Sequence, residues 1–182
     1  MKLLICLYLP LLLSLLHRAT STEDRQCSNP ADVEEVCKTV TASMGTDDHE
    51  YCVRTLKSDP RSKSTDLHGL ATLATRLAIS HAMSTESKIE GLMDLESDPK
   101  MKESYNACLD AYNDAIDELR DALDNLNSKL YLGGMSLLKS TLKGVESCEE
   151  AFKDEKSSPL IMEDKDYQRL ANIAFHITAS VE

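Results

Sequence analysis

The 182-residue chain contains no tryptophan, only two phenylalanines and six tyrosines, and just six glycines and five prolines. So few breakers exclude a turn-rich architecture and leave room for long helices, and so few aromatics mean that the core is built chiefly from aliphatic side chains. Catalytic signatures are missing as well. No HExxH, CxxC or GxSxG occurs, nor any glycine loop that could cradle a phosphate. Zinc-peptidase, dithiol, serine-hydrolase and nucleotide-binding chemistries therefore have no foothold. His49, His68, His81 and His176 are scattered, and the thirteen residues between His68 and His81 put them several helical turns apart, too far for a shared metal. No nucleophile has a base beside it. We read the chain as a non-enzyme with no cofactor and no metal.

Long apolar runs are scarce too. One occurs, Leu3 to Leu16, preceded by Lys2 and followed by the small residues Ala19, Thr20 and Ser21. It is shorter than the roughly 20 residues a membrane span needs, and its layout is that of a secretory signal peptide, cleaved between Ala19 and Glu23. Residues 1–21 are thus expected to leave, and the mature protein to be secreted into a disulfide-permitting extracellular space. Cleavage removes Lys2, Arg18 and Cys6, leaving 18 basic against 31 acidic side chains, a net charge near −13, and five cysteines. The shortage of positive charge makes nucleic acid and anionic membranes poor partners and a basic protein a good one.

What is present is helical. Cys37 and Cys52 are centred on Met44-Gly45, and Asp47 stands three residues before Glu50, a capping-box spacing for the second arm. Cys108 and Cys148 are centred on Ser128 in the same way, with long helical patterns through both. Residues equidistant from an αα-hairpin turn come within the roughly 4.4–6.8 Å Cα separation that a disulfide needs. The expected bridges are therefore Cys37–Cys52 and Cys108–Cys148, with Cys27 unpaired or joined to an external thiol. Tyr105, Leu109, Tyr112, Ile116, Leu119, Leu123, Leu126 and Leu130 keep a 4-3 spacing, the stripe of a helix about 40 Å long, and Asp98-Pro99 supplies its cap. Leu67 to Leu92 lie on a helix spanning about Ser64 to Leu95. Met135 to Phe152 mark the third long helix and Tyr167 to Val181 the last, with Lys156 to Glu163 as their connection. The fold read from these patterns is an all-α, up-and-down four-helix bundle over residues 63–182. An N-terminal extension and α-helical hairpin over 22–62 precedes it, so that 22–182 forms a single domain. Large side chains at nearly every turn of the core stripes argue against a ligand-carrying cavity.

One polar pattern rises above background. Asp110, Asp114, Asp117, Asp121 and Asp124 keep the 4-3 spacing of the core stripe and read as standing one residue further along, so that five carboxylates are expected on a flank beside the buried seam. Only Arg120 and Lys129 lie alongside to offset them. The row reads either as a solvated face or as an acidic docking strip, which Glu149 and Glu150 on the next helix would extend.

The residues around the cysteines carry a resemblance. Cys37-Lys38-Thr39, the run Tyr51-Cys52-Val53-Arg54-Thr55-Leu56-Lys57-Ser58-Asp59-Pro60-Arg61-Ser62 with Asp66-Leu67 after it, Cys108 to Ala115, and Ser147-Cys148-Glu149-Glu150-Ala151-Phe152 resemble the plant invertase and pectin methylesterase inhibitors. Within that family the likeness is to the pollen-allergen-like invertase inhibitor subgroup, and it covers the chain from about Glu34. The resemblance implies a four-helix bundle with an N-terminal helical hairpin and the same disulfide pattern. In members directed at pectin methylesterase, the helix of the third cysteine and the helix after it cover the enzyme's cleft. Their acidic positions match Asp110, Asp114 and Asp117, with Glu150 at another and Ser147 where a threonine is usual. Leu130 departs from a further acidic position, and Ser140-Thr141-Leu142 departs from a Ser-Ala-Ala stretch. Tyr131-Leu132-Gly133-Gly134 lacks the Pro-Lys-Phe motif of invertase inhibitors. The resemblance thus implies a secreted inhibitor that covers the active site of pectin methylesterase or, as the second choice, acid invertase, one to one and in the plant cell wall. A pollen or storage-type binding protein of the same fold is the alternative from another class.

Overall fold

The computed structural model describes residues 29–153 and 158–181; the predicted signal peptide, Cys6 and Cys27 lie outside these. Among the described residues the helices are α1 (Val33–Val40), α2 (Thr46–Lys57), α3 (Leu67–Leu95), α4 (Pro99–Asn127), α5 (Tyr131–Ala151) and α6 (Ile161–Ala179), with a 3-10 turn at Pro60–Ser64. Acidic caps start three of them. Asp32, Asp66 and Asp98 accept hydrogen bonds from the backbone N–H groups of Glu34, Gly69 and Lys100, each at 2.9 Å, and Pro99 follows its cap at the first helical position. Such caps are worth about 1 kcal/mol each. The sequence reading of Asp47 and Glu50 as the cap of α2 is corrected: Asp48 does this, accepting from the Gly45 N–H at 2.6 Å. Helix α2 begins one residue after Gly45, so the side chain three residues past that cap is Asp48.

The four long helices run up and down, with α3 on α4, α4 on α5, α5 on α6 and α6 back on α3. Their seams bury Leu70, Ile89, Leu119, Leu126, Leu138, Val145, Leu170, Ile173 and Ile177. The core is less purely aliphatic than its composition suggests. Tyr112 and Tyr167 are wholly buried and meet edge-to-face at 5.6 Å, and Tyr105 meets Phe152 at 5.4 Å. Alanines at 71, 74, 78, 82, 115, 122, 171 and 174 fill the positions between. These let the backbones approach, as does Gly134, where a Cβ would stand 3.4 Å from the Leu126 side chain.

The predicted stripe of α4 holds from Tyr105 to Leu126 but not to Leu130, which is 59% exposed. The helix ends first. Lys129 turns left-handed at φ 57°, and the N–H groups of Leu130 and Lys129 close back on the carbonyls of Asn125 and Leu126, both at 2.8 Å, a Schellman ending. A side chain at that φ is strained relative to glycine. Lys129→Gly should raise stability by about 0.5–1 kcal/mol, read as a higher urea midpoint; a lower midpoint would show that the turn prefers its lysine.

Helices α1 and α2 form the expected hairpin, bridged by Cys37–Cys52 with Cα atoms 5.7 Å apart. It rests against the bundle chiefly through α6. There Arg169 pairs with Asp48 at 2.8 Å and lies 5.1 Å over the Tyr51 ring, while the Tyr51 hydroxyl donates to the Asp166 carbonyl at 3.2 Å. Burial, with the Asp166 charge behind it, pushes the Tyr51 phenol up to about 12, so it stays a donor. The second bridge, Cys108–Cys148, joins α4 to α5 with Cα atoms 4.3 Å apart. Both pairings match the symmetry of the cysteines about their turns.

Candidate functional site

Helix α4 carries the acidic row. Asp110, Asp114, Asp117, Asp121 and Asp124 are all exposed, while Tyr112, Ala115, Leu119, Ala122 and Leu126 of the same helix are buried. The row does not lie on a flank beside the seam. Each residue turns a helix by about 100°, and the five positions centre opposite Leu119, so they form the outward face of α4. Arg120 pairs with Asp117 at 3.0 Å, three residues away. Glu118, on the side turned toward α5, accepts from the Ser140 hydroxyl at 2.9 Å and ties the row's helix to its neighbour.

Ser147 and Glu150 are exposed on α5, one turn or less from Cys148. The Ser147 hydroxyl donates back to the Gly144 carbonyl at 2.6 Å. Glu150 lines an open groove between the start of α4 and the end of α5, with Lys100, Glu103, Ala107 and Lys153, and forms an ion pair with Lys153. Glu149 turns to the other side and accepts from Gln168 of α6 at 3.3 Å. The glutamates therefore diverge rather than extending the aspartate row as a pair. The disulfide holds the two halves of the candidate surface at one height, because Asp110 follows Cys108 by two residues and Ser147 and Glu150 flank Cys148.

The histidines do not converge. His68 meets Tyr131 at one end of the bundle, Nδ1 3.2 Å from the phenol oxygen, and Nε2 of His81 lies 2.9 Å from the Glu163 carbonyl. Among the described residues no group of three or more histidine, cysteine or acidic side chains is placed to hold a metal, and no helix is long and apolar enough to cross a membrane.

The bundle, its hairpin and its two bridges can be set against known proteins. Residues 31–177 match the family model described as "Plant invertase/pectin methylesterase inhibitor". The chain belongs to that family. Among its members, the "Putative invertase inhibitor" of Platanus acerifolia is 30% identical over 148 residues, 80% of this chain and 83% of that protein. The "Pectinesterase inhibitor" of Actinidia deliciosa is 33% identical over 135 residues, 74% of this chain and 69% of that one. A crystal structure of a mutant pectin methylesterase inhibitor from Arabidopsis superimposes with a TM-score of 0.68 at 25% identity, covering 78% of this chain and 95% of that one. The fold read from the sequence is thus the family's, and the family is one of inhibitors rather than enzymes.

Two features of this family member were not singled out from its sequence. Arg169 and Asp48, which clip the hairpin to α6, are charged residues in a chain full of them. Asp164, with no exposure at all, stands beside the α6 stripe: Tyr167, Leu170, Ala174 and Ile177 alternate 3-4-3, so the next step toward the N-terminus reaches Glu163, and only the small Ala171 and Thr178, one and two heptads on, mark the Asp164 position.

Proposed function

We propose that this family member is a secreted inhibitor of a plant cell-wall carbohydrate enzyme, with pectin methylesterase the first target. It binds non-covalently and one to one over the enzyme's active site. Residues 1–21 serve as its signal peptide and residues 22–182 as the inhibitor domain, with the hairpin in 22–62 and the bundle in 63–182. The observation that carries the reading is the outward face of α4. Asp110, Asp114 and Asp117 project from it into solvent, and like charges so close cost a helix roughly 0.2–0.5 kcal/mol per pair, a cost that a basic partner would turn into attraction. Ser147 and Glu150 on α5 complete the surface at the height of the disulfide. Likeness to the pectinesterase inhibitor of Actinidia deliciosa supports the target.

Acid invertase is the second reading, supported by the name of the plane-tree relative. Against it, the turn into α5 presents Leu130 and Leu132, 59% and 71% exposed, with no Pro-Lys-Phe motif at Tyr131 to Gly134. The test is assembly. Mixed with a pectin methylesterase, the mature chain should co-elute as a one-to-one complex on size exclusion with light scattering, and separate elution at micromolar concentration would count against the reading.

A further inference from the structure

The first turn of α6 places a carboxyl in the bundle interior. Asp164 is completely buried where α4, α5 and α6 meet. Its Oδ1 accepts from the Tyr112 hydroxyl at 2.7 Å. Its Oδ2 faces the Cys148 sulfur at 3.8 Å, and that sulfur, bonded to Cys108, has no hydrogen to give. One oxygen is therefore served and the other is turned toward an atom that can only accept. A neutral acid fits this setting, with its own O–H directed at the sulfur; an anion leaves one oxygen buried without a donor.

We propose that Asp164 makes this fold an acid-stabilised one: its carboxyl is held in the core as the neutral acid, and its ionisation loosens the corner where α4, α5 and α6 meet around the Cys108–Cys148 bridge.

The groups around it agree. From α5, Glu149 adds negative charge, as does Glu163 from α6. From α3, Lys88 and His81 both engage Glu163, the lysine at its carboxylate at 2.5 Å and the histidine at its backbone carbonyl, while the Thr85 hydroxyl donates to the His81 carbonyl at 3.0 Å and stands beside the Tyr112 phenol. From α4 comes Tyr112, and from α6 the buried ring of Tyr167. Burial is the largest influence and raises the Asp164 carboxyl to about 6; the Tyr112 bond works against it, and Glu149 and Glu163 add to it. The N-terminal dipole of α6 favours the anion by about five- to thirtyfold, less than the rise from 3.8 to about 6 disfavours it. Tyr112 itself is raised well above the ordinary phenol range by burial and then by Asp164, so it remains the donor.

The sign follows. Below the ordinary carboxyl value of 3.8 the group is neutral folded or unfolded, and the stabilisation is complete. As pH rises the unfolded chain ionises first, and the advantage is gone once pH passes about 6. The inference stands apart from the inhibitor reading, because its test reads the fold and not the target.

The experiment is urea unfolding of the mature disulfide-bonded protein at about 0.5 M salt, which screens the general repulsion of an acidic chain. Between about pH 4 and about pH 7 the wild-type unfolding constant should rise roughly 50-fold. Asp164→Asn, whose amide can face the sulfur at any pH, should lose most of that rise, and retention of the full wild-type dependence would overturn the proposal. A carboxyl 13C titration of the wild type needs no variant: one aspartate should titrate near 6, and Tyr112→Phe, which removes the donor to the anion, should move it higher. If no carboxyl titrates above about pH 5, the proposal fails however the Asn variant behaves.

Discussion

Replacing Cys108 by serine should lower the unfolding free energy by about 2–5 kcal/mol, the largest effect expected of any single change in this protein. The bridge closes 40 residues between α4 and α5, against 15 for the hairpin bridge, and longer loops lose more entropy when the unfolded chain is cross-linked. Both sulfurs are wholly buried. A serine hydroxyl there would have to find a partner beside Tyr112 and Asp164 or remain unsatisfied, which costs about 1–3 kcal/mol more. Cys37→Ser should act differently: the hairpin meets the bundle over far fewer residues than the long helices meet one another, so hydrogen exchange should quicken in α1 and α2 before the bundle melts. An unchanged denaturation midpoint for Cys108→Ser would show that the second bridge does not form.

The second large effect concerns recognition. Changing Asp110, Asp114 and Asp117 together to asparagine should slow association with the target by about tenfold or more at low salt while leaving the fold intact or slightly firmer. Three negative charges leave the outward face of α4, and among the described residues the ion pair lost is the exposed one between Asp117 and Arg120. Such a pair contributes at most about 1 kcal/mol. Exposed charges act on the association rate and are screened over about 10 Å at 0.1 M salt. Wild-type affinity should therefore fall as salt rises, and the triple variant should lose much of that slope. Full inhibition by the variant with the wild-type slope retained would mean that the row is a solvated face and that the target docks elsewhere.

How much of this was legible beforehand follows from which signals are periodic. The cysteine pairs could be placed because symmetry about a turn converts sequence distance into height on a hairpin. The α4 stripe could be read because its apolar residues outnumber the interruptions. Leu130 was misplaced because a 4-3 repeat carries no sign of where the helix stops, and a lysine in a left-handed conformation does not advertise a turn as glycine would. The aspartate row keeps the spacing of the core stripe but stands five residues on, not one, and five residues turn a helix by about 500°, some 140° from the stripe, which is the outward face rather than a flank. Asp164 escapes a periodic reading because it lies beside the α6 stripe, one residue past the position its 3-4 alternation reaches. An acidic residue at a core position reads as an interruption until the buried tyrosine hydroxyl opposite it is seen.

Inhibition itself is read from the residual activity of the target. Pectin methylesterase and acid invertase are each titrated with the purified mature chain. Pectin methylesterase activity should fall reversibly and reach its end point at one equivalent, with invertase little affected; undiminished activity of the pectin methylesterase at a large molar excess of the chain would overturn the inhibitor reading.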